Sequence, residues 1–159
     1  MRYEALKTLG KLELEDSEWI VRRAALATLR KLEPTMIAQY ADAVIAGLDR
    51  TETRIDALQT LGNLEPATLA QYAGFVIARL EDEDVHVRSE ALDTLGKLEP
   101  TVLAQHAGVV IARFEDSDGA LRLNSMQTLG KLEPRVLAQY ASAVVARFAD
   151  PQPLVRRAA

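Results

Sequence analysis

The chain has 159 residues, enough for one ordinary domain and short for two. Hydrophobic residues make up 48% and charged residues 26%, a balance that folds rather than staying disordered. The net charge of −4 counts against a phosphate-tracking groove, because nucleic-acid binders present basic surfaces, and the lack of cysteine excludes disulfides, thiolate catalysis and cysteine-based zinc sites.

The opening MRYEALKTLGKLELED is too charged for a signal peptide and has no apolar h-region. Its residues 1–13 align with the second half of a repeat, as the rest of the chain shows. A turn, LEDSEW, follows directly at Leu14, where a proline and a whole first helix belong, so the first step is only 20 residues. From there Leu-Glu-Pro recurs, ending at Pro34, Pro66, Pro100 and Pro134 in steps of 32, 34 and 34. After each proline comes nearly one phrase: IAQYADAVIAG, LAQYAGFVIAR, LAQHAGVVIAR and LAQYASAVVAR. Before each lies another: ALATLRKLE, ALQTLGNLE, ALDTLGKLE and SMQTLGKLE. Self-similarity at this period marks a solenoid. The chain reads as a single array over 1–159, with a partial repeat at 1–13 and repeats beginning at 14, 34, 66, 100 and 134.

Each repeat predicts two helices. In the first, Leu103, Ala107, Val110, Ile111 and Phe114 fall on one apolar stripe, and Pro100 suits the first turn, where its missing N–H is not needed. In the second, Val87, Ala91, Leu95 and Leu98 share a face that Leu92 broadens. The linking turns LEDSEW, LEDEDV and FEDSDG supply Asp and Ser as N-caps. No stretch alternates with the period of a strand, so the fold class is all-α, an α-solenoid of stacked antiparallel helix pairs. Gly62, Gly96 and Gly130 fall inside the second helix at matching positions, with Arg30 in the same place. They imply either close helix–helix approach or an early end to the helix. Thr8, Thr28, Thr60, Thr94 and Thr128 recur at the edge of its apolar face as framework.

A proline in the first helix, an acidic turn, then Val-Arg opening the second helix resembles the HEAT repeat family. The matching residues are the four prolines, the turn acids Asp16, Asp82, Asp84, Asp116, Asp118 and Asp150, and the pairs Val21-Arg22, Val87-Arg88 and Val155-Arg156. Leu121-Arg122 is a conservative variant and Thr53-Arg54 departs at the valine. The resemblance implies that Arg22, Arg54, Arg88, Arg122 and Arg156 form a structural ladder with the turn acids. The turn before Arg54, LDRTET, is two residues short and loses an acid. The resemblance also implies a non-catalytic scaffold or adaptor that binds a protein partner along its second helices. The alternative is a structural linker or assembly subunit of a large multi-protein complex.

Catalytic and cofactor constellations are absent from the sequence. His86 and His106 are the only histidines, and neither precedes a glutamate. His106 stands where Tyr40, Tyr72 and Tyr140 stand in other repeats and reads as a packed ring. Gly96 and Gly130 precede lysines without the upstream glycine of a phosphate loop. The carboxylates read as helix caps and solvated charge. No catalytic residue, metal or cofactor is expected, and neither is nucleic acid or direct membrane insertion. The uncharged runs Pro66–Ala78 and Pro100–Ala112 fall short of the roughly 20 residues a membrane helix needs. The expectation is an intracellular soluble protein, cytoplasmic unless a removed segment targeted it to an organelle.

Comparing repeats within the chain separates framework from variable positions. The candidate partner-binding residues are Arg23 and Arg30, then Ile55, Asp56 and Gln59, then Ser89, Glu90 and Asp93, then Leu123, Asn124 and Gln127. Ile55 and Leu123 are apolar where the position should face water, which suits either contact or drift. Trp19, the only tryptophan, either plugs the gap left by the missing first helix or anchors a partner. The closing PLVRRAA begins another second helix. With no polar capping helix at either end, the expectation is a fragment of a longer array, ends covered by a partner, or a small protein with frayed ends. The irregular steps argue for a natural, decaying repeat over a designed consensus array.

Overall fold

A computed structural model describes residues 19–159 of the chain. The expected half-repeat at 1–13, together with Thr8 and Asp16, lies outside the described residues. Every regular element among the described residues is helical. In chain order they are α1 (Trp19–Leu29), α2 (Pro34–Ala38), α3 (Ala41–Ala46), α4 (Arg54–Leu61), α5 (Pro66–Leu69), α6 (Ala73–Ala78) and α7 (Val85–Leu95), then α8 (Pro100–Gln105), α9 (Ala107–Ala112), α10 (Gly119–Leu129), α11 (Pro134–Leu137), α12 (Ala141–Ala146) and α13 (Pro153–Ala158). Short 3₁₀ turns follow α3, α5, α6, α9, α11 and α12. The result is an α-solenoid. It divides into two compact units, 1–75 and 76–159.

The expected first helix is in fact two. The chain leaves helical angles at Tyr40 (φ −110°, ψ 9°), His106 (φ −111°, ψ 9°) and Tyr140 (φ −110°, ψ 9°). The apolar stripe survives the bend: Leu103, Ala107, Val110 and Phe114 are all buried, and Ile111 sits half-buried at its edge. Each repeat opens as the proline dictates. The preceding glutamates Glu33, Glu65, Glu99 and Glu133 are extended, with ψ between 141° and 145°, because proline's ring excludes the helical region before it.

Of the two readings of the glycines, the early end to the helix is the one the structure adopts. Gly62, Gly96 and Gly130 are not inside the second helices but cap them, in right-handed conformation with φ of −66°, −65° and −61°. The turn that follows these three glycines drives the leucine of the next Leu-Glu-Pro into the core, and Leu64, Leu98 and Leu132 are each 5% exposed, whereas Leu32, which follows Arg30, is exposed. A Cβ on Gly130 would meet nothing closer than 3.5 Å. At Gly96 the near neighbour is the Lys131 ammonium, which donates to the Gly96 carbonyl at 2.7 Å, rather than another helix. Three of the recurring threonines lie deeper than expected, Thr60, Thr94 and Thr128 being buried outright, while Thr28 is exposed. Thr60 satisfies its hydroxyl on the Asp56 carbonyl at 2.6 Å.

Stacking within each unit pairs second helix with second helix. In the N-terminal unit α1 lies against α4, and in the C-terminal unit α10 lies between α7 and α13. The contact faces are apolar: Leu26, Leu58 and Leu61 on one side of the division, Leu92, Leu95, Leu121 and Leu129 on the other. Burying one such leucine is worth about 1.5–3 kcal/mol, more than any difference in helix propensity among ordinary residues.

A ladder of arginines fixes the register of the C-terminal unit. Arg88 donates from Nε and Nη2 to both carboxylate oxygens of Asp116, each at 3.0 Å. Its Nη1 holds the carbonyls of Asp82 and Glu83 in its own turn. Arg122 repeats the arrangement one repeat on, with Asp150 at 2.8 and 2.9 Å and the Asp116 and Ser117 carbonyls. Each clamped aspartate also accepts the backbone N–H two residues ahead, from Asp118 and Gln152. Planar bidentate pairs of this kind carry orientation as well as energy. A second ladder was not foreseen. Arg113 and Arg147 reach back a repeat to the Leu80 and Phe114 carbonyls at 2.9 and 3.0 Å, and pair with the exposed Glu81 and Glu115. Their sequence signal was present in the recurring Val-Ile-Ala-Arg and Val-Val-Ala-Arg phrases.

The short turn of the second step is tied differently. Thr53 is buried and its hydroxyl donates to the Gly47 carbonyl at 2.7 Å. Gly47 replaces the arginine of other repeats, and a Cβ there would lie 3.2 Å from the Ala57 Cβ, so this turn packs closely where the others make ion pairs.

Two outcomes follow. Gly130→Ala should raise stability by about 0.4–1 kcal/mol, since the space and angles accept a methyl group, whereas Leu92→Ala should cost about 2–5 kcal/mol; urea unfolding measures both. The second concerns pH. Hydrogen bonding from Arg122, opposed by burial, holds the Asp150 carboxyl at about 2 against an ordinary 3.8. Because the folded value is depressed, this stabilisation is complete above pH ~4 and is lost as pH falls toward ~2. The melting-temperature gap between wild type and Asp150→Asn should therefore be widest at neutral pH and close by pH ~2.

Candidate interaction surface

The variable positions occupy the faces of the second helices that turn away from the core, and two structural features distinguish them from a plain solvated face. First, most are half-buried rather than exposed: Arg30, Ile55, Asp56, Gln59, Ser89, Glu90, Leu123 and Asn124 are all half-buried. Second, several are tied to one another across repeats.

In the N-terminal unit, Arg23 of α1 donates from Nε to Asp56 of α4 at 2.9 Å. The same guanidinium lies 5.9 Å from the centroid of the Trp19 ring. Trp19 is 44% exposed, so it does not fill a core gap; its ring forms part of the surface. Trp19, Ile20, Arg23, Ala24, Ala27, Arg30 and Asp56 line a groove of about 460 Å³. An adjoining groove of about 440 Å³ is lined by Arg23, Arg30, Thr51, Glu52, Ile55, Asp56 and Gln59. Arg23, Arg30 and Asp56 belong to both. Six predicted residues (Trp19, Arg23, Arg30, Ile55, Asp56 and Gln59) thus come together around one depression.

The C-terminal unit is different. Asn124 donates from Nδ2 to Asp93 Oδ1 at 3.0 Å and to Ser89 Oγ at 3.3 Å. These three join one repeat to the next. Leu123 and Gln127 line a smaller groove of about 290 Å³ with Leu154, Arg157 and Ala158. Glu90 lines none of these grooves. Leu154 and Arg157 were missed from the sequence, although they stand at the positions of Ile20 and Arg23 and the repeat comparison extended one segment further would have included them.

Among the described residues no cluster of three or more His, Asp or Glu side chains could hold a metal ion, and no helix is long and apolar enough to cross a membrane. His106 sits half-buried at the bend between α8 and α9.

No family model matches the chain, and no curated protein matches it. Solved structures do. An engineered protein superimposes with a TM-score of 0.70 at 14% identity, over 94% of this chain and 74% of its own. A designed armadillo repeat protein in complex with the peptide (KR)4 gives 0.73 at 12% identity, over 94% and 77%. A further designed armadillo repeat protein gives 0.67 at 12%, with the same coverage. At such identities the likeness is one of fold: this chain is a helical-repeat solenoid. Two of these neighbours are designed armadillo repeat proteins, one of them in complex with a peptide.

As the sole tryptophan, Trp19 reports on the groove. Acrylamide should quench its fluorescence efficiently in the native protein, nearly as in urea; strong protection in the folded state would place the ring in a core instead.

Proposed function

We propose that the chain is a non-catalytic protein-interaction module that takes a peptide segment of a protein partner along the exposed face of its second helices. The observation that carries this reading is the N-terminal depression. An exposed tryptophan, two arginines, an isoleucine and a glutamine gather there at positions that vary between repeats, on a framework of leucines, threonines and arginines that does not. Tryptophan and arginine are the side chains that most often dominate binding energy at protein interfaces. The peptide-bound designed neighbour supports a solenoid of this kind as a peptide receptor. The basic sequence of that peptide is not carried over, because Arg23 and Arg30 stand in the groove here.

The turn acids and Val-Arg pairs support assigning the repeats to the HEAT-like class, and the period running from Pro34 to Pro134 supports one array over 1–159. Partners, on this reading, are proteins. Nucleic acid is disfavoured by the net charge of −4, and the setting we propose is intracellular and cytoplasmic.

Selection of ligands from a random peptide library tests the proposal. Selected peptides should lose at least about tenfold in affinity on Trp19→Ala or Ile55→Asp, with helicity by circular dichroism unchanged. Leu123→Asp should weaken peptides that bind the groove of the C-terminal unit. Peptides whose affinity ignores all three substitutions would place recognition elsewhere and end this reading.

A further inference from the structure

Arg30 stands where Gly62, Gly96 and Gly130 end the other second helices, and its backbone does what theirs does. Its N–H donates to the Leu26 carbonyl at 2.9 Å, as those of the three glycines donate to Leu58, Leu92 and Met126. Its carbonyl accepts from Asn63 Nδ2 at 2.9 Å, as that of Gly96 accepts from Lys131. The fold asks nothing of the side chain at this position. Here that side chain is long, charged and half-buried, and it lines both N-terminal grooves.

Elsewhere the chain supplies its guanidiniums with counter-charges. Arg88, Arg122, Arg113 and Arg147 each meet a carboxylate of a neighbouring repeat. Among the described residues no carboxylate meets Arg30. Arg23 makes its hydrogen bond through Nε, to Asp56, and among the described residues nothing accepts from its two Nη groups.

Charge is unevenly distributed along the two grooves. In the one lined by Trp19 the ionic side chains are Arg23, Arg30 and Asp56, a net positive set whose one acid is already paired. Apolar surface from Trp19, Ile20 and Ala27 lies beside them. The adjoining groove adds the exposed Glu52, which balances the charge there. A partly desolvated guanidinium without a counter-charge is costly, and its planar fork is matched best by a carboxylate.

We infer that the peptide taken by this site carries an aspartate or glutamate within its chain, held by Arg30 and the Nη groups of Arg23, next to an apolar side chain that lies against Trp19. The inference rests on the proposed function and names the chemistry of its partner. The acid is internal to the segment rather than its C-terminus, because Arg23, Arg30 and Asp56 are shared by two adjoining grooves, so a chain anchored there has room to continue on both sides. Glu52 repels a carboxylate from the adjoining groove, which leaves the acid on the Trp19 side.

The probe is a library of short random peptides displayed with both ends joined to a carrier, so that no terminal carboxylate is free. Ligands selected on the full chain should be enriched in aspartate or glutamate close to an aromatic or aliphatic residue. Arg30→Gly, the exchange for which the other repeats provide the precedent, should weaken them about tenfold with helicity unchanged. Replacing the acid of the peptide by its amide should do the same, and the two changes together should cost no more than either alone. Arg30→Lys should recover only part of the loss, since it keeps the charge without the fork. Three results would overturn the inference while leaving the proposed function standing: ligands that need Trp19 but show no acidic enrichment, additive effects of the two exchanges, or full binding by the amide-exchanged peptide once its C-terminus is freed. Binding of (KR)4 in the same groove as tightly as the selected peptides would do so too. Ligands indifferent to both Trp19→Ala and Ile55→Asp would end both readings.

Discussion

A hairpin of some 34 residues has an apolar surface on both sides and too little chain to fold over either. Its stability comes from lying against another like it. The structure follows from that constraint. The leucines at 26, 58, 61, 92, 95 and 129 repeat because each must meet a neighbour's ridge, and the buried threonines repeat because their hydroxyls can be satisfied on the helix that carries them. The energy is dispersed over many modest contacts, as expected for a chain in which each repeat touches only its neighbours.

Apolar stacking alone does not choose a register, since one greasy ridge slides past another at small cost. In the C-terminal unit the two arginine ladders supply the choice. The inner one is strongly directional, because a bidentate guanidinium–carboxylate pair tolerates little displacement and Asp150 is shut away from water. The outer one, Arg113 and Arg147 with exposed glutamates, contributes little energy but adds carbonyl contacts that follow the same spacing. With register fixed by groups that recur, the side chains on the opposite face of each second helix are free to differ.

That freedom is where interaction chemistry gathers. The N-terminal depression combines an aromatic plane, cationic forks and an aliphatic side chain within two adjacent second helices. The C-terminal unit spends its variable positions differently: Ser89, Asp93 and Asn124 are tied to each other. The faces are thus chemically unequal although the backbone pattern is the same, and a list of variable residues could not distinguish recognition from bridging.

The sequence by itself determined the helical class and, in the C-terminal unit, the arginine–aspartate pairs of Arg88 and Arg122, because each depends on local rules that a single repeat already obeys. Proline ends the preceding helix, a period near 3.6 marks the buried stripe, and the arginine that opens a second helix lies a constant distance from the next acidic turn. What only the tertiary structure decided concerns relations between repeats. The break in the first helix at Tyr40, His106 and Tyr140 carries no proline or glycine to announce it. Gly62, Gly96 and Gly130 looked internal because nothing local distinguishes a right-handed cap from one more helical residue. The pairing of Arg23 with Asp56, and the exposure of Trp19 beside them, depend on how deeply one helix sits against the next, a quantity fixed by side-chain volumes on both and visible in neither alone.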